Sequence, residues 1–125
     1  MVIRMLQAKK AGDAEFVCWG TGKPRREWCY VDDFSRALIE ANSFRNLVEP
    51  INIGQNKGYP IAESAALIKR ACGYEGEVIF DSSYADGAPI KILSDEVTKA
   101  MFPRFKFFDH EEGIVNTVKY YEDKV

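Results

Sequence analysis

Between Trp19 and Asp33 the chain reads Trp-Gly-Thr-Gly-Lys-Pro-Arg-Arg-Glu-Trp-Cys-Tyr-Val-Asp-Asp, and this is the densest concentration of chemistry in it. Lys23, Arg25 and Arg26 crowd their cations between Trp19 and Trp28. Arginine's planar fork suits bidentate phosphate binding, and a tryptophan face stacks on a base or a sugar. The residue types alone equally allow a solvated turn between strands with its aromatics in the core. Nucleic acid is the weaker reading, because the basic cluster is single and short in an acidic chain.

Other motifs fail on inspection, and each failure narrows the chemistry. Gly20-Thr21-Gly22-Lys23 begins like a phosphate-binding P-loop, but Val17 stands where the first glycine belongs. Pro24 replaces the Ser or Thr that would hold magnesium. The dinucleotide fingerprint fails too, with Arg25 in the third glycine's place. His110 is the single histidine, which rules out a histidine cluster within one chain, and it reads as a solvated or capping residue before a helix. Asp32 and Asp33 read as a helix cap and a favourable dipole charge rather than as an acid-base pair. Tyr120-x-x-x-Lys124 has a dehydrogenase spacing, but with no cofactor fold around it the match is a coincidence.

The elements that must position these groups follow from periodicity. Val2, Ile3, Leu6 and Ala8 before Gly12 predict a short amphipathic helix, and Glu15–Trp19 a strand. Gly20 to Pro24 is turn chemistry, and Glu27–Val31 is expected as a second strand. Asp32 or Asp33 should cap a helix carrying Phe34, Ala37, Leu38 and Ala41. Ile51–Gly54 is expected as a strand, and Pro60 opens a helix that ends at Cys72 before Gly73. Glu77–Asp81 is a strand, and a loop follows through Asp86 and Pro89. Ser94 should cap a short helix ended by Pro103, and Asp109 with Glu112 has capping-box spacing before the last helix. Strands and helices alternate, so the expected class is α/β.

With 125 residues the chain has one domain's length, 46% hydrophobic and 29% charged, which excludes collagen-like and wholly disordered chains. A net charge of -2 provides no global basic field for nucleic acid or a membrane surface. Cys18, Cys29 and Cys72 are an odd set without C-x-x-C spacing, which argues against a disulfide framework or a zinc ribbon and fits a reducing cytoplasm. The N-terminus is broken by charge too early for a signal peptide, and no stretch approaches the roughly 20 apolar residues of a membrane span.

The Trp19–Asp33 segment resembles the turn and "YVDD" stretch of extended short-chain dehydrogenases acting on nucleotide sugars, the NAD-dependent epimerase/dehydratase family, most closely its GDP-L-fucose synthase branch. Ile51–Gly54 followed by Pro60-Ile61-Ala62-Glu63 is similar to that branch's "INVG…SIRELA". Gly73–Asp81 and Asp86-Gly87-Ala88-Pro89-x-Lys91 are similar to its "G(Y/F)xGxxxFD…PDGTPRK". Order and spacing agree across nearly the whole chain.

The resemblance implies a small mixed α/β substrate-binding domain without the N-terminal Rossmann half. It puts Lys9, Trp19, Arg26 and Asp86 at the nucleotide-sugar contacts. Trp19 would pack on the nucleotide, Arg26 would neutralise diphosphate, and Asp86 would hold a hydroxyl or ring nitrogen. A GDP-sugar is the favoured ligand. Residues 1–125 would then be the C-terminal nucleotide-sugar-binding region of a GDP-4-keto-6-deoxymannose epimerase-reductase, inactive alone, with residues 32–54 packing against a missing N-terminal cofactor domain. The family's glycine-rich NADP loop and Ser-Tyr-Lys set have no counterpart here, so no catalytic residue and no bound cofactor is expected. Met1 falls where the family has an acid-base His, and Ile90 replaces an Arg of the last run. Surface left open by the missing half implies self-association or exchange of an element between chains. The alternative is a stand-alone, non-catalytic sugar-nucleotide-binding or regulatory protein.

Overall fold

The computed structural model describes residues 1–44 and 49–125. Helix α1 (Val2–Ala11) stops at Gly12, whose φ of 72° is open to glycine without strain. It feeds strand β1 (Glu15–Trp19), whose alternate residues Phe16 and Cys18 are buried. Then come β2 (Arg25–Arg26), α2 (Val31–Ala41), β3 (Tyr59–Pro60) and α3 (Ile61–Cys72), followed by β4 (Glu77–Asp81), β5 (Ile90–Lys91), α4 (Glu96–Met101) and α5 (His110–Glu122).

Two small sheets result. β1 pairs in parallel with β4, from Glu15 opposite Glu77 to Trp19 opposite Asp81. β2 lies between β3, antiparallel to it, and β5, parallel to it. Helices α1, α3 and α5 pack together, and Met5, Phe16, Ala65, Cys72, Tyr74 and Val118 meet in the main core. The α/β expectation therefore holds, as do the predicted positions of β1, β4 and the helix ending at Gly73.

Three local expectations are corrected. Residues Glu27–Tyr30 form no strand; the extended pairing is confined to Arg25–Arg26, and Val31 already opens α2. The Glu27 N–H still donates to the Lys91 carbonyl at 3.1 Å, while its carboxylate accepts the backbone N–H of Gln55 (2.5 Å) and of Leu93 (2.8 Å), and no ladder continues beyond it. Ile51–Gly54 is likewise irregular, and the Gly54 N–H donates to the Thr98 hydroxyl at 2.9 Å instead of to a ladder.

The third correction concerns Asp33, which is no cap. Tyr30 holds the cap position of α2 without a side-chain bond, while Asp33 turns inward and is fully buried. Its carboxylate pairs with Arg36 and accepts the Phe108 N–H at 2.8 Å. The Arg36 guanidinium lies over the Phe105 and Phe108 rings and donates to the Lys106 carbonyl at 2.8 Å. One buried acid thus fastens α2 to the aromatic segment that precedes α5. Asp109 does cap α5, accepting from the Glu111 N–H at 3.0 Å.

Removing Asp33 would strand the half-buried Phe108 N–H and unpair a guanidinium. Asp33→Ala is expected to lower unfolding free energy by about 2–4 kcal/mol in urea titration. A loss well under 1 kcal/mol would show the linkage to be idle.

Candidate functional site

Beyond β1 the chain makes a tight turn that only glycine permits. Gly20 and Gly22 have φ of 86° and 74°, and a Cβ on Gly20 would meet the Asp86 carboxylate while one on Gly22 would meet the Phe80 ring. Between them, Thr21 donates its N–H to Asp86 Oδ1 and its hydroxyl to Asp86 Oδ2, each at 2.6 Å. These bonds hold the Asp86 carboxyl below its usual range, hydroxyl first and then N–H, with Lys23 and Arg26 adding favourable charge. An ionised carboxylate has about four lone-pair directions, so acceptor capacity remains for a ligand.

Trp19 ends β1 beside this turn and is 68% exposed, with its ring stacked on Tyr84. Arg26, half-buried on β2, reaches to within 4.0 Å of where a Cβ on Gly87 would stand. Its guanidinium donates to the Arg25 carbonyl at 2.8 Å and joins no salt bridge among the described residues. Arg25 differs: its guanidinium donates to the Gly58 carbonyl at 2.6 Å. Three of the four residues expected at a site, Trp19, Arg26 and Asp86, therefore share one open ledge. Lys9 does not join them; it is exposed in the last turn of α1, its ammonium beside Gly73 at the end of α3.

Sequence reasoning missed two contributors. Tyr84, in the loop after β4, supplies the second ring of the stack. Glu27 ties the segments around Gln55 and Leu93 to the residue next to Arg26. The alternation of charged and aromatic residues pointed at the ledge, but nothing local in the sequence reveals a carboxylate bridging such distant amides.

A separate cavity of about 240 Å³ lies between α3, α5 and the segment before α2, with Trp28, Cys29, Tyr30, Ser64 and His110 in its wall. None of Lys9, Trp19, Arg26 or Asp86 lines it. His110, expected to be solvated or capping, is half-buried here, stacked on Tyr59 at 4.0 Å and hydrogen-bonded through Nε2 to the Ser64 hydroxyl at 3.0 Å. Burial pushes its imidazole below the ordinary value, while Glu63 and Asp109 pull the other way. Ser64 is 2% exposed, which suits packing rather than attack. Partial desolvation, then Asp33 and Glu27, push the Cys29 thiol up, away from nucleophilic use.

Among the described residues no group of His, Cys, Asp and Glu could hold a metal ion, and no helix is long and apolar enough to cross a membrane. Nor does the glycine turn suit a dinucleotide. It leads into a strand rather than a helix N-terminus, and a carboxylate fills its concave side. Tyr120 and Lys124 form a solvent-facing cation–π pair at 3.1 Å.

The chain as a whole is similar to several known proteins. The profile of the "NAD dependent epimerase/dehydratase family" matches residues 1–54. A probable GDP-L-fucose synthase 1 of Oryza sativa subsp. japonica is 35% identical over all of this chain, which spans 38% of the rice protein. A GDP-L-fucose synthetase from Naegleria fowleri superposes with TM-score 0.88 at 28% identity, over 98% of this chain and 38% of that one. The UDP-glucose 4-epimerase of Thermotoga maritima, solved with UDP-glucose, gives 0.80 at 26% identity over 98% and 39%.

Because burial disfavours the charged imidazole, the folded-state pKa of His110 lies below the unfolded one. The stability it contributes is present above about pH 6.5 and lost as pH falls through the folded value. With no second histidine in the chain, the urea midpoint should drop between about pH 7 and pH 5, and His110→Gln should flatten that drop. An unchanged slope in the variant would sink this assignment.

Proposed function

We propose that this chain, whose residues 1–54 match the NAD dependent epimerase/dehydratase family and which is 35% identical to a rice protein named as a probable GDP-L-fucose synthase, supplies the nucleotide-sugar grip of a GDP-L-fucose synthase-like epimerase-reductase. The carrying observation is the convergence of Trp19, Arg26 and Asp86 on one ledge, three residue types suited to a base or sugar face, a diphosphate and a hydroxyl or ring N–H. The relatives named as GDP-L-fucose synthases favour a GDP-sugar as ligand.

In this reading Arg26 approaches the diphosphate with a guanidinium that no internal acid has claimed, while Arg25 braces the Gly58 loop. Asp86 is kept ionised and aimed by Thr21, so it accepts from the ligand without giving up a proton. Lys9 enters as a proposed contact on the family resemblance alone. Residues 1–125 form the nucleotide-sugar-binding region, and NADP and the hydride step belong to an N-terminal cofactor domain, without which these residues are inactive. Residues 32–54, of which 45–48 lie outside the described residues, are the surface proposed to meet that domain. Supporting this, α2 leaves Val31, Phe34, Leu38 and Ile39 exposed, an apolar load unusual on a helix facing water. In the absence of that domain the same face is proposed to drive self-association.

Titration calorimetry with GDP should show Arg26→Ala weakening binding roughly ten- to a hundredfold, as loss of charge-assisted hydrogen bonds implies. Arg25→Ala should lower thermal stability more than affinity. Equal affinities in the two variants would overturn the assignment of Arg26. NADP titrated into the same protein should give no saturable heat, and micromolar binding would refute the division of labour.

A further inference from the structure

Trp19 and Tyr84 lie nearly parallel, 8° between planes and 4.6 Å between ring centroids, and they remain 68% and 46% exposed. Single apolar side chains on a surface are ordinary. A stacked pair held by the backbone is a built feature. Trp19 and Asp81 are register partners at the ends of β1 and β4, and the Gly20 N–H donates to the Asp81 carbonyl at 2.9 Å. The Ser83 N–H donates to the Asp81 carboxylate at 3.0 Å and the Tyr84 N–H to the Asp81 carbonyl at 3.3 Å, a turn that folds the phenol back over the indole. Two residues further on, the same loop delivers Asp86 to Thr21. With one face against Tyr84, an indole that is still two-thirds exposed must present its opposite face to solvent.

Resting on the nucleotide-binding reading above, we propose that Tyr84 is a positioning residue that backs the Trp19 indole and so makes the ledge select nucleoside diphosphates with a flat base over bare diphosphate. Tyr84 restricts the indole to one orientation before the ligand arrives, so less side-chain freedom is lost on stacking. It also closes one face, leaving a single side on which a base can lie. Stacking on an aromatic plane reads flatness rather than hydrogen-bond pattern, so the device separates GDP from pyrophosphate without distinguishing one purine from another.

Tyr84 is on a surface turn, so its variants test the site rather than the fold. Calorimetry with GDP and with inorganic pyrophosphate should show Tyr84→Ala weakening GDP by about five- to tenfold while pyrophosphate changes by less than about twofold. Tyr84→Phe, which keeps the ring, should restore the GDP value. Equal loss for both probes, no loss for GDP, or a Phe variant as weak as the Ala variant would each overturn the proposal. A wild-type chain that binds GDP no better than pyrophosphate would instead remove the base-stacking role of Trp19. In that case acrylamide quenching of Trp19 fluorescence in a Trp28→Phe background decides the backing itself. Quenching that rises in Tyr84→Ala supports it, and unchanged quenching overturns it.

Discussion

The carboxylate of Glu27 accepts one backbone N–H from Gln55 and another from Leu93, and this double acceptance anchors the residue that follows Arg26 at the end of β2. Both donors belong to irregular segments with no ladder to satisfy them, and the half-buried Gln55 N–H would be costly to leave without a partner. Charge-assisted acceptance from a single side chain meets both needs and fixes two distant segments against the end of β2. The strands on either side, β3 and β5, then hold Arg25 and Arg26 between them. Since β5 follows directly on the Asp86–Pro89 loop, the position of Asp86 relative to Arg26 is set through the same three-stranded sheet.

Asp33 does comparable work on the other side of the molecule, joining α2 to the Phe105–Phe108 segment. In both cases an acid within the basic, aromatic stretch is tied to distant backbone amides, while other side chains of the stretch bond only to a neighbouring carbonyl. That division separates Arg26 from Arg25 more sharply than residue type does. Arg25 is committed to Gly58, whereas Arg26 satisfies itself on the neighbouring carbonyl.

What the sequence revealed, and what it hid, follows the range of the forces involved. Glu15–Trp19 and Glu77–Asp81 were legible because apolar residues and flanking turn chemistry are local signals. Gly12 and Gly73 were legible because helix termination in the left-handed conformation selects glycine locally. Glu27–Val31 reads like a strand, but pairing stops after the Glu27 N–H bonds the Lys91 carbonyl and α2 opens at Val31, since strand preference needs a neighbouring edge that only the fold supplies. His110 was misjudged for the same reason, since Ser64 and Tyr59 lie on elements far away in the chain. At the ledge, Trp19, Arg26 and Asp86 were named through family likeness, and the fold brings them together. Tyr84 had no motif to announce it, because its role exists only once β1 and β4 lie side by side.

That parallel pairing has a bearing on how the chain acquires its shape during synthesis. Glu15 finds its partner in Glu77, and the connection between the two strands runs through α2 and α3. Contacts so remote in order form slowly, because a long loop must close before any reward is gained. While the ribosome is still building α3, the Phe16 and Cys18 side chains have no paired strand beside them and depend on α1 or on a chaperone for cover. The emergence of β4 therefore governs when β1 becomes safe from unwanted association.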